Sequence, residues 1–174
     1  CPALNGLEFK WWTHLRSRLP GLKKAGFSAI WLPPVSKAAN ARSMGYDPYD
    51  YYDLGEFDQK GAIPTWFGSR EELESLIAEA HRQEISVYAD MVLNHNSGGD
   101  ALEANPLDQM PRWTRFTPLS GKFPRNWSHF HPCKFESWDQ ASFGEMPDLC
   151  HRNPEVYREI LELARWMVEE IGFD

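Results

Sequence analysis

The segment from Ile85 to His95 constrains the fold of this chain more than any other. It begins with a run of strand type, Ile85–Ala89, and then supplies Asp90, Asn94 and His95 within six positions. Apolar residues on both faces of a short strand are typical of an inner strand of a parallel sheet. Polar side chains at its carboxyl end are typical of a site at the mouth of a barrel or of an open α/β sheet. The segment therefore predicts a parallel α/β fold with a functional site beside Asp90.

Composition excludes some classes of protein. The chain has 174 residues, enough for one ordinary domain or for part of a larger one. Its formal net charge of −7 argues against a nucleic-acid-binding surface, which needs a basic face. No apolar run approaches the roughly 18 residues of a membrane span, so none is predicted. Aromatic residues make up 14% of the chain, and they either fill a large core or form stacking platforms for flat apolar ligand faces such as sugar rings.

Helices and strands alternate in the first half of the chain. Apolar spacing predicts a helix from Leu7 to Ala25, with Pro20 as a kink or a break, and a strand from Phe27 to Leu32. Ser69 is predicted to begin a second helix, because Glu72 follows it at the spacing of a capping box. The buried strand described above comes next. This order predicts a parallel sheet with crossover helices.

The alternation stops after His95. Residues 96–153 hold six prolines and eight Trp or Phe residues, without a convincing helical pattern. A structureless loop of that length is improbable inside a compact domain, so the stretch predicts an inserted subdomain with irregular β structure. Asn153 and Pro154 have the residue types of a helix start, and Gly172 ends that last helix. Phe173-Asp174 has the character of a strand opening, and the sequence is therefore expected to be a piece of a longer domain.

Three motifs carry a family resemblance. They are residues 45–47 (Gly-Tyr-Asp), residues 90–95 (Asp-Met-Val-Leu-Asn-His) and residues 146–149 (Met-Pro-Asp-Leu). The chain resembles the alpha-amylase family of glycoside hydrolases, which are (β/α)8 barrels. The resemblance lies in the residues of these motifs, in their order along the chain and in the predicted elements that carry them. The resemblance covers nearly the whole chain, and the long stretch after the third strand is most similar to that of calcium-dependent alpha-amylases.

The resemblance implies a fold and its division into parts. It implies the α/β class and a partial TIM (β/α)8 barrel, with an irregular β-containing insertion after the third strand. Residues 1–95 would form the N-terminal part of the catalytic barrel, and residues 96–153 the inserted metal-binding subdomain. Residues 154–174 would form the third barrel helix and the start of the fourth strand.

The resemblance also implies an activity. Members of the family cleave α-1,4-glucosidic bonds in starch, glycogen or maltooligosaccharides with retention of the anomeric configuration. That reaction needs two carboxylates across the scissile bond. By the family pattern the nucleophilic Asp and the general acid Glu follow Asp174, so the isolated chain is expected to be inactive. The implied partner is an α-glucan, with no nucleic acid and no membrane. Two alternatives stay open: a transglycosylase or other α-glucosidase of the same family, and a non-catalytic carbohydrate-binding relative.

Four residues are candidates for the sugar-facing side. By the resemblance, Asp90 supports the active site by orienting charged groups on the neighbouring strand and is not itself the nucleophile. His95 would hydrogen-bond the sugar beside the cleavage point. Tyr46 would stack on the same ring, with a core tyrosine that packs its own loop as the alternative. Asp47 is either a further cleft residue or an acceptor within a turn.

Calcium is the first cofactor that the resemblance implies. Its ligands would be the side chains of Asn94, Asp139 and Asp148 and the backbone carbonyl of Ala141. Amide, carboxylate and carbonyl oxygens are the donors that Ca²⁺ prefers. The ion would clamp the insertion onto the barrel in a structural role.

Zinc is a second metal that some relatives hold, on two histidines and a cysteine. His131 and Cys150 match two of those ligands, and the third position falls on Glu136, where the relatives have His. Glutamate can bind zinc, so the departure does not exclude the site. Cys133 is an alternative ligand or a disulfide partner for Cys150, and at the level of sequence both assignments stay open.

Overall fold

A computed structural model describes residues 9–137, 142 and 144–174. Its α-helices are α1 (Trp11–Lys24), α2 (Arg70–Arg82) and α3 (Pro154–Trp166). Its strands are β1 (Ala29–Leu32), β2 (Lys37–Ala38), β3 (Pro48–Asp50), β4 (Ser86–Ala89), β5 (Ala101–Ala104) and β6 (Pro111–Arg115). A 3₁₀ turn spans Trp127–His129, and a π-helical turn, Met167–Ile171, continues α3. Within these ranges no helix has both the length and the apolar character needed to cross a membrane.

Strands β1 and β4 form the parallel pair that the sequence predicts. Ile30 pairs with Val87 and Leu32 with Ala89. A parallel pair needs a crossover connection, and here it contains β2, β3 and α2. The α/β class is therefore confirmed. The described sheet has two strands and is not a closed barrel, and the division into three domains stays a prediction.

Helix α2 begins where its capping box predicts. The backbone N–H of Glu72 donates to the Ser69 hydroxyl at 3.3 Å, and the Glu72 carboxylate accepts from the Ser69 N–H at 3.1 Å. Together these two bonds satisfy donors that a helix start leaves without partners. The buried face of α2 consists of Leu73, Leu76, Ile77 and Ala80, as the spacing predicts. This face packs toward α1 and the parallel strands as part of one hydrophobic core.

Of the two expectations for Pro20, the break is wrong and the kink stays a prediction. Helix α1 runs from Trp11 to Lys24 without interruption, although Pro20 lies inside it. The neighbouring Leu19 is fully buried and Trp12 is 1% exposed. Packing of this apolar face against the core outweighs the loss of one helical hydrogen bond at proline, because most helix stability in proteins comes from tertiary contacts.

Strand β4 is not buried on both of its faces, contrary to the prediction from its apolar residues. Val87 is fully buried, but Tyr88 is 47% exposed, and its cross-strand partner Trp31 is 73% exposed. Side chains alternate between the faces of a strand. The helices cover only the face that carries Val87 and Leu32, so the aromatic pair lies on an uncovered face.

Residues after His95 form irregular β structure. Strands β5 and β6 make an antiparallel hairpin. Single bridges then join Phe116 to Arg125 and Phe130 to Leu149. In the described part of this stretch the sole helical segment is the 3₁₀ turn. An inserted subdomain over residues 96–153 stays a prediction.

The two ends of this irregular region pair with each other beside β4. The N–H of Asn96 donates to the Pro147 carbonyl at 3.1 Å, and the N–H of Leu149 donates to the Asn94 carbonyl at 2.8 Å. On the other side of the same segment, the N–H of His131 donates to the Asp148 carbonyl at 2.9 Å. Residues 147–150 therefore lie between residues 94–96 and residues 129–131.

A buried ion pair holds the long connection between β1 and α2. The Lys37 ammonium lies 3.2 Å from Asp53, with side-chain exposures of 3% and 0%. Burial lowers the pKa of Lys37, although Asp53 acts in the opposite direction. The Gln59 amide donates to both Asp50 (2.8 Å) and Asp53 (2.7 Å). The ammonium also donates to three backbone carbonyls, those of Phe57, Ala62 and Ile63.

The same network reaches the irregular region. The Ser120 hydroxyl donates to Asp50 at 2.7 Å, and the Leu119 N–H donates to the Gln59 side-chain oxygen at 3.1 Å. Arg125 lies nearby, fully buried, and its guanidinium donates to the backbone carbonyls of Phe123 and Tyr49. These contacts join segments about seventy residues apart in the chain.

The ion pair generates a stability prediction. Asp53→Asn leaves the Lys37 charge buried without its counter-charge, so we expect the free energy of unfolding to fall by about 3–5 kcal/mol. The double variant Asp53→Asn with Lys37→Met should recover part of that loss, because the buried ammonium is removed together with its counter-charge. Urea unfolding followed by circular dichroism measures both.

The matched control is Glu162→Gln. Glu162 pairs with Arg165 on the surface of α3, with side-chain exposures of 55% and 67%, and its loss should change the free energy of unfolding by less than about 1 kcal/mol. Equal effects of Asp53→Asn and Glu162→Gln would contradict the role assigned to the buried pair.

Candidate functional site

Three of the residues predicted for the sugar-facing side lie together. The Tyr46 hydroxyl donates to the Asp90 carboxylate at 2.9 Å, and Nε2 of His95 lies 2.9 Å from the Tyr46 carbonyl oxygen. The Asp90 N–H donates to the Leu32 carbonyl at 3.0 Å, so the carboxylate follows the end of the parallel strand pair. The loop after β1 and the segment after β4 therefore meet at the carboxyl ends of these strands.

The three side chains differ in exposure. Tyr46 is 53% exposed, Asp90 is half-buried and His95 is 6% exposed. Tyr46 thus presents part of its ring to solvent while its hydroxyl is held. The hydrogen bond to Asp90 raises the pKa of Tyr46, because an ionised phenol would face a carboxylate. An exposed aromatic ring beside fixed polar groups can bind the apolar face of a ligand and orient it.

Gly45 determines where Tyr46 lies. Its φ of +97° is in the left-handed region, and a Cβ there would lie 2.7 Å from the Pro34 carbonyl oxygen. Glycine is therefore needed for the loop to approach Pro34. Asp47 accepts a hydrogen bond from the Ser43 hydroxyl, which supports its interpretation as a turn acceptor.

The predicted calcium ligands are only partly within the described residues. His95 and Asp148 are directly opposite each other in an antiparallel bridge, and both are buried. Asn94, the residue before His95, is exposed, and its backbone carbonyl accepts a hydrogen bond from the Leu149 N–H. Asp139 and Ala141 lie outside the described residues. An amide oxygen and a carboxylate on adjoining segments match the donor chemistry of Ca²⁺.

The predicted zinc ligands cluster together with Cys133. One ligand atom from each of His131, Cys133, Glu136 and Cys150 lies within 4.8 Å of the other three. Cys133 and Cys150 form a disulfide with a Cα–Cα distance of 6.5 Å. The three-residue zinc site of His131, Glu136 and Cys150 is therefore not formed in this state, because zinc binds the thiolate and not a disulfide sulfur.

A groove lies beside the segment that follows His95. It has a volume of about 380 Å³. Trp113 in this groove is 52% exposed. The lining residues are Ser97, Gly98, Gly99, Trp113, Glu145, Met146 and Pro147.

Sequence reasoning missed two charged residues, Asp100 and Arg125, that connect the irregular region after His95 to the long connection between β1 and α2. Asp100 accepts from the Tyr49 hydroxyl (2.8 Å), from the Thr117 N–H (2.7 Å) and from Lys60 (2.8 Å). Burial alone would raise the pKa of Asp100, but these hydrogen bonds lower it to about 2. Nothing in the sequence separates this aspartate or the buried Arg125 from ordinary solvated charges, since both contact Tyr49, which is more than fifty residues away from each of them in the chain.

Comparisons with known proteins bear on this geometry. The family model described as the alpha-amylase catalytic domain matches residues 12–174. The chain is 39% identical to an alpha-amylase of Bacillus licheniformis, with 94% of this chain and 40% of the relative covered. It is 31% identical to an alpha-amylase of Geobacillus stearothermophilus, with 94% and 38% covered. The chain thus spans about two fifths of the length of these curated relatives.

A solved structure is similar as well. The alpha-amylase of Geobacillus thermoleovorans, complexed with acarbose, superposes with a TM-score of 0.65 at 25% identity. The match covers 94% of this chain and 32% of that one. Both kinds of comparison extend over nearly all of the residues described above.

The Tyr46–Asp90 hydrogen bond generates a prediction about titration. Asp90→Asn removes the negative charge that faces the phenol, so the pKa of Tyr46 should fall toward its ordinary value of about 10. NMR titration of ¹³C-labelled tyrosine measures it. Asp47→Asn, one residue from Tyr46, is the control and should leave the pKa of Tyr46 unchanged. An unaltered Tyr46 titration in Asp90→Asn would show that the hydrogen bond does not form in solution.

Proposed function

This chain belongs to the alpha-amylase family, and from that premise we propose that it forms one wall of an active site that cleaves α-1,4-glucosidic bonds in starch or glycogen. The α-glucan chain is the proposed partner. Hydrolysis with retention proceeds through a covalent glycosyl-enzyme intermediate and needs a nucleophilic carboxylate and an acid about 5–5.5 Å apart. The residues of this chain that are assigned below contribute binding and orientation to that reaction.

The observation that carries the proposal is the meeting of Tyr46, Asp90 and His95 at the strand ends. Ligand sites of barrels and open α/β sheets lie at the carboxyl ends of the strands. The exposed Tyr46 ring supplies an apolar face for a pyranose, and its hydroxyl bond to Asp90 restrains the ring orientation. Restraint before binding reduces the entropy that a ligand contact must offset.

Asp90 and His95 have different proposed roles. Asp90 is a positioning residue: one of its carboxylate oxygens accepts the hydrogen bond from the Tyr46 hydroxyl. Its proposed second role is to orient charged groups on the neighbouring strand. His95 holds the Tyr46 loop through the contact at its Nε2, and only a small part of the ring is exposed. A direct hydrogen bond from His95 to the sugar stays a prediction.

Calcium is the proposed structural cofactor. The ion would be held by Asn94 and Asp148, together with Asp139 and the carbonyl of Ala141. Support comes from the hydrogen-bonded pairing of residues 94–96 with residues 147–149, which brings an amide and a carboxylate onto adjoining segments. When bound, Ca²⁺ neutralises buried negative charge and strengthens the attachment of the irregular region to β4.

Substitution of Tyr46 tests the proposed stacking. In the protein that carries this chain within a complete catalytic domain, Tyr46→Ala should lower kcat/KM on maltooligosaccharides by about tenfold, because loss of about 1.4 kcal/mol of aromatic contact is a factor of ten. Tyr46→Phe keeps the ring and should stay within about threefold of the parent. Reducing-sugar assays give both values.

Tyr157→Ala is the matched control, since Tyr157 is 60% exposed on α3 and is not one of the residues of the proposed site. It should leave kcat/KM unchanged. If Tyr46→Ala behaves like Tyr157→Ala, the ring does not contact the substrate and the proposed wall is wrong.

Chelation tests the calcium proposal. EGTA should lower the Tm of the protein, and added CaCl₂ should restore it, because a ligand bound only by the folded state stabilises that state. Asn94→Ala and Asp148→Asn should each weaken or remove the response to Ca²⁺. Differential scanning calorimetry measures the shift.

The control for chelation is Asp108→Asn, an acid of the irregular region that pairs with Arg112 at 2.6 Å. It should keep the full response to Ca²⁺. The exposed Asn94 makes Asn94→Ala informative even if Asp148→Asn does not fold. A Tm that is the same with EGTA and with CaCl₂ would refute the site.

A further inference from the structure

A second groove lies between α3 and residues 121–124. Its volume is about 520 Å³, within the range of about 300–1,000 Å³ that is typical of small-molecule sites. None of the described residues that line it belongs to the candidate site or to the groove beside Trp113. We call it the α3 groove.

Two aromatic side chains line the α3 groove. The rings of Tyr52 and Trp166 have centroids 5.0 Å apart and an interplanar angle of 51°. The Arg70 guanidinium lies over the Trp166 ring, 5.6 Å from its centroid, and Trp166 is partly exposed. Rings held in this way offer apolar contact area to a ligand without first having to be ordered.

Tyr52 also brings a polar group to the α3 groove. Its side chain is 8% exposed, and its hydroxyl makes no hydrogen bond to any residue that the structure describes. Burial, together with the charges of Glu159 and Glu162, raises the pKa of Tyr52 to about 12, so the hydroxyl keeps its proton at neutral pH. A mostly buried hydroxyl without a protein partner is best satisfied by a polar group of a ligand.

Carboxylates supply acceptors along the same side of α3. Glu159, Glu162 and Trp166 follow one another at spacings of three and four residues, so they lie on one face of the helix. Each carboxylate pairs with a neighbouring arginine, Glu159 with Arg158 at 3.4 Å and Glu162 with Arg165 at 3.3 Å. These pairs offset much of the negative charge while leaving oxygen atoms able to accept further hydrogen bonds.

This mixture of groups indicates a neutral ligand that carries many hydroxyls. A sugar hydroxyl can accept from the Tyr52 hydroxyl or from Lys122 and can donate to a glutamate, while the apolar face of a pyranose contacts an aromatic ring. An anionic ligand would face three glutamates of the lining, Glu159, Glu162 and Glu170. A cationic ligand would be repelled by Lys122 and could not accept the hydrogen bond of Tyr52.

We propose that the α3 groove binds a short segment of an α-glucan, as a second site separate from the candidate site. The choice of an α-glucan rests on the proposed function, in which this polymer is the substrate. A polymer held at one site has a raised effective concentration at the other. The α3 groove therefore acts on long chains and on insoluble starch, and not on substrates too short to occupy both sites.

Adsorption to insoluble starch tests the proposal. The protein that carries this chain within a complete catalytic domain is mixed with starch granules in the cold, where cleavage is slow, and the unbound protein is measured. Trp166→Ala should raise the Kd for starch by about tenfold, because the indole supplies much of the apolar contact. Tyr52→Phe keeps the ring, removes one hydrogen bond and should raise the Kd by about threefold.

Tyr157→Ala is the control for adsorption, because Tyr157 is an exposed aromatic residue of α3 that does not line the groove. It should leave the Kd for starch unchanged. Circular dichroism checks that each variant is folded. If Trp166→Ala does not fold, Tyr52→Phe decides, since it removes a single hydroxyl and keeps the ring packing.

Cleavage of maltotriose separates this proposal from the proposed function. Tyr46→Ala should lower kcat/KM on maltotriose and keep the Kd for starch within about twofold of the parent, because the α3 groove still contributes its binding. Trp166→Ala should change the Kd for starch far more than kcat/KM on maltotriose. If Tyr46→Ala leaves kcat/KM unchanged while Trp166→Ala loses adsorption, the proposed wall is wrong and the second site stands.

Four results would overturn the second site. Folded Trp166→Ala and Tyr52→Phe that adsorb like the parent show that the α3 groove does not bind starch. An equal loss in Tyr157→Ala shows a general effect of the α3 surface. Equal losses of adsorption and of maltotriose cleavage in Trp166→Ala show that the groove is part of the cleavage site. Adsorption that NaCl abolishes shows binding through charge, which a neutral glucan does not use.

Discussion

Two backbone hydrogen bonds, between residues 94–96 and residues 147–149, are the constraint on which the rest of the arrangement depends. They close a loop of about fifty residues at the carboxyl end of β4. Closing a long loop carries an entropic penalty that rises slowly with length, so a few well-packed contacts at its ends are enough to hold it. The bridge places Asp148 opposite His95, whose ring in turn contacts the Tyr46 loop. Without this pairing, neither the adjoining positions of Asn94 and Asp148 nor the groove beside Trp113 would be formed.

A second constraint acts on the other side of the same region. Lys37 and Asp53 are buried as an ion pair, and Asp50 shares Gln59 with that pair. An ion pair of this kind is not by itself evidence of high stability, because desolvation offsets much of the attraction. Its consequence is geometric: every buried polar group must keep its partner, so the loop has few alternative packings. The hydrogen bond from the Ser120 hydroxyl to Asp50 fixes the irregular region to this loop.

Residues 147–150 lie between two other segments of the chain. One edge of this segment pairs with residues 94–96 and borders the proposed sugar site, and the other edge pairs with residues 129–131. Backbone hydrogen bonds therefore hold the segment on both sides.

Local interactions account for the features that could be predicted from the amino-acid order alone. Apolar spacing and the Ser69–Glu72 capping box located α2, Asn153 and Pro154 located the start of α3, and the order of elements predicted the parallel pair. Other features depend on partners distant in the chain and emerged only from the packed molecule: the unbroken helix at Pro20, the exposure of Tyr88, and the choice of a Cys133–Cys150 disulfide among the assignments that the sequence left open. The bond between Tyr46 and Asp90, which are 44 residues apart, is of the same kind. A pattern within a short window records the periodicity of one element, whereas these contacts depend on how separate elements pack together.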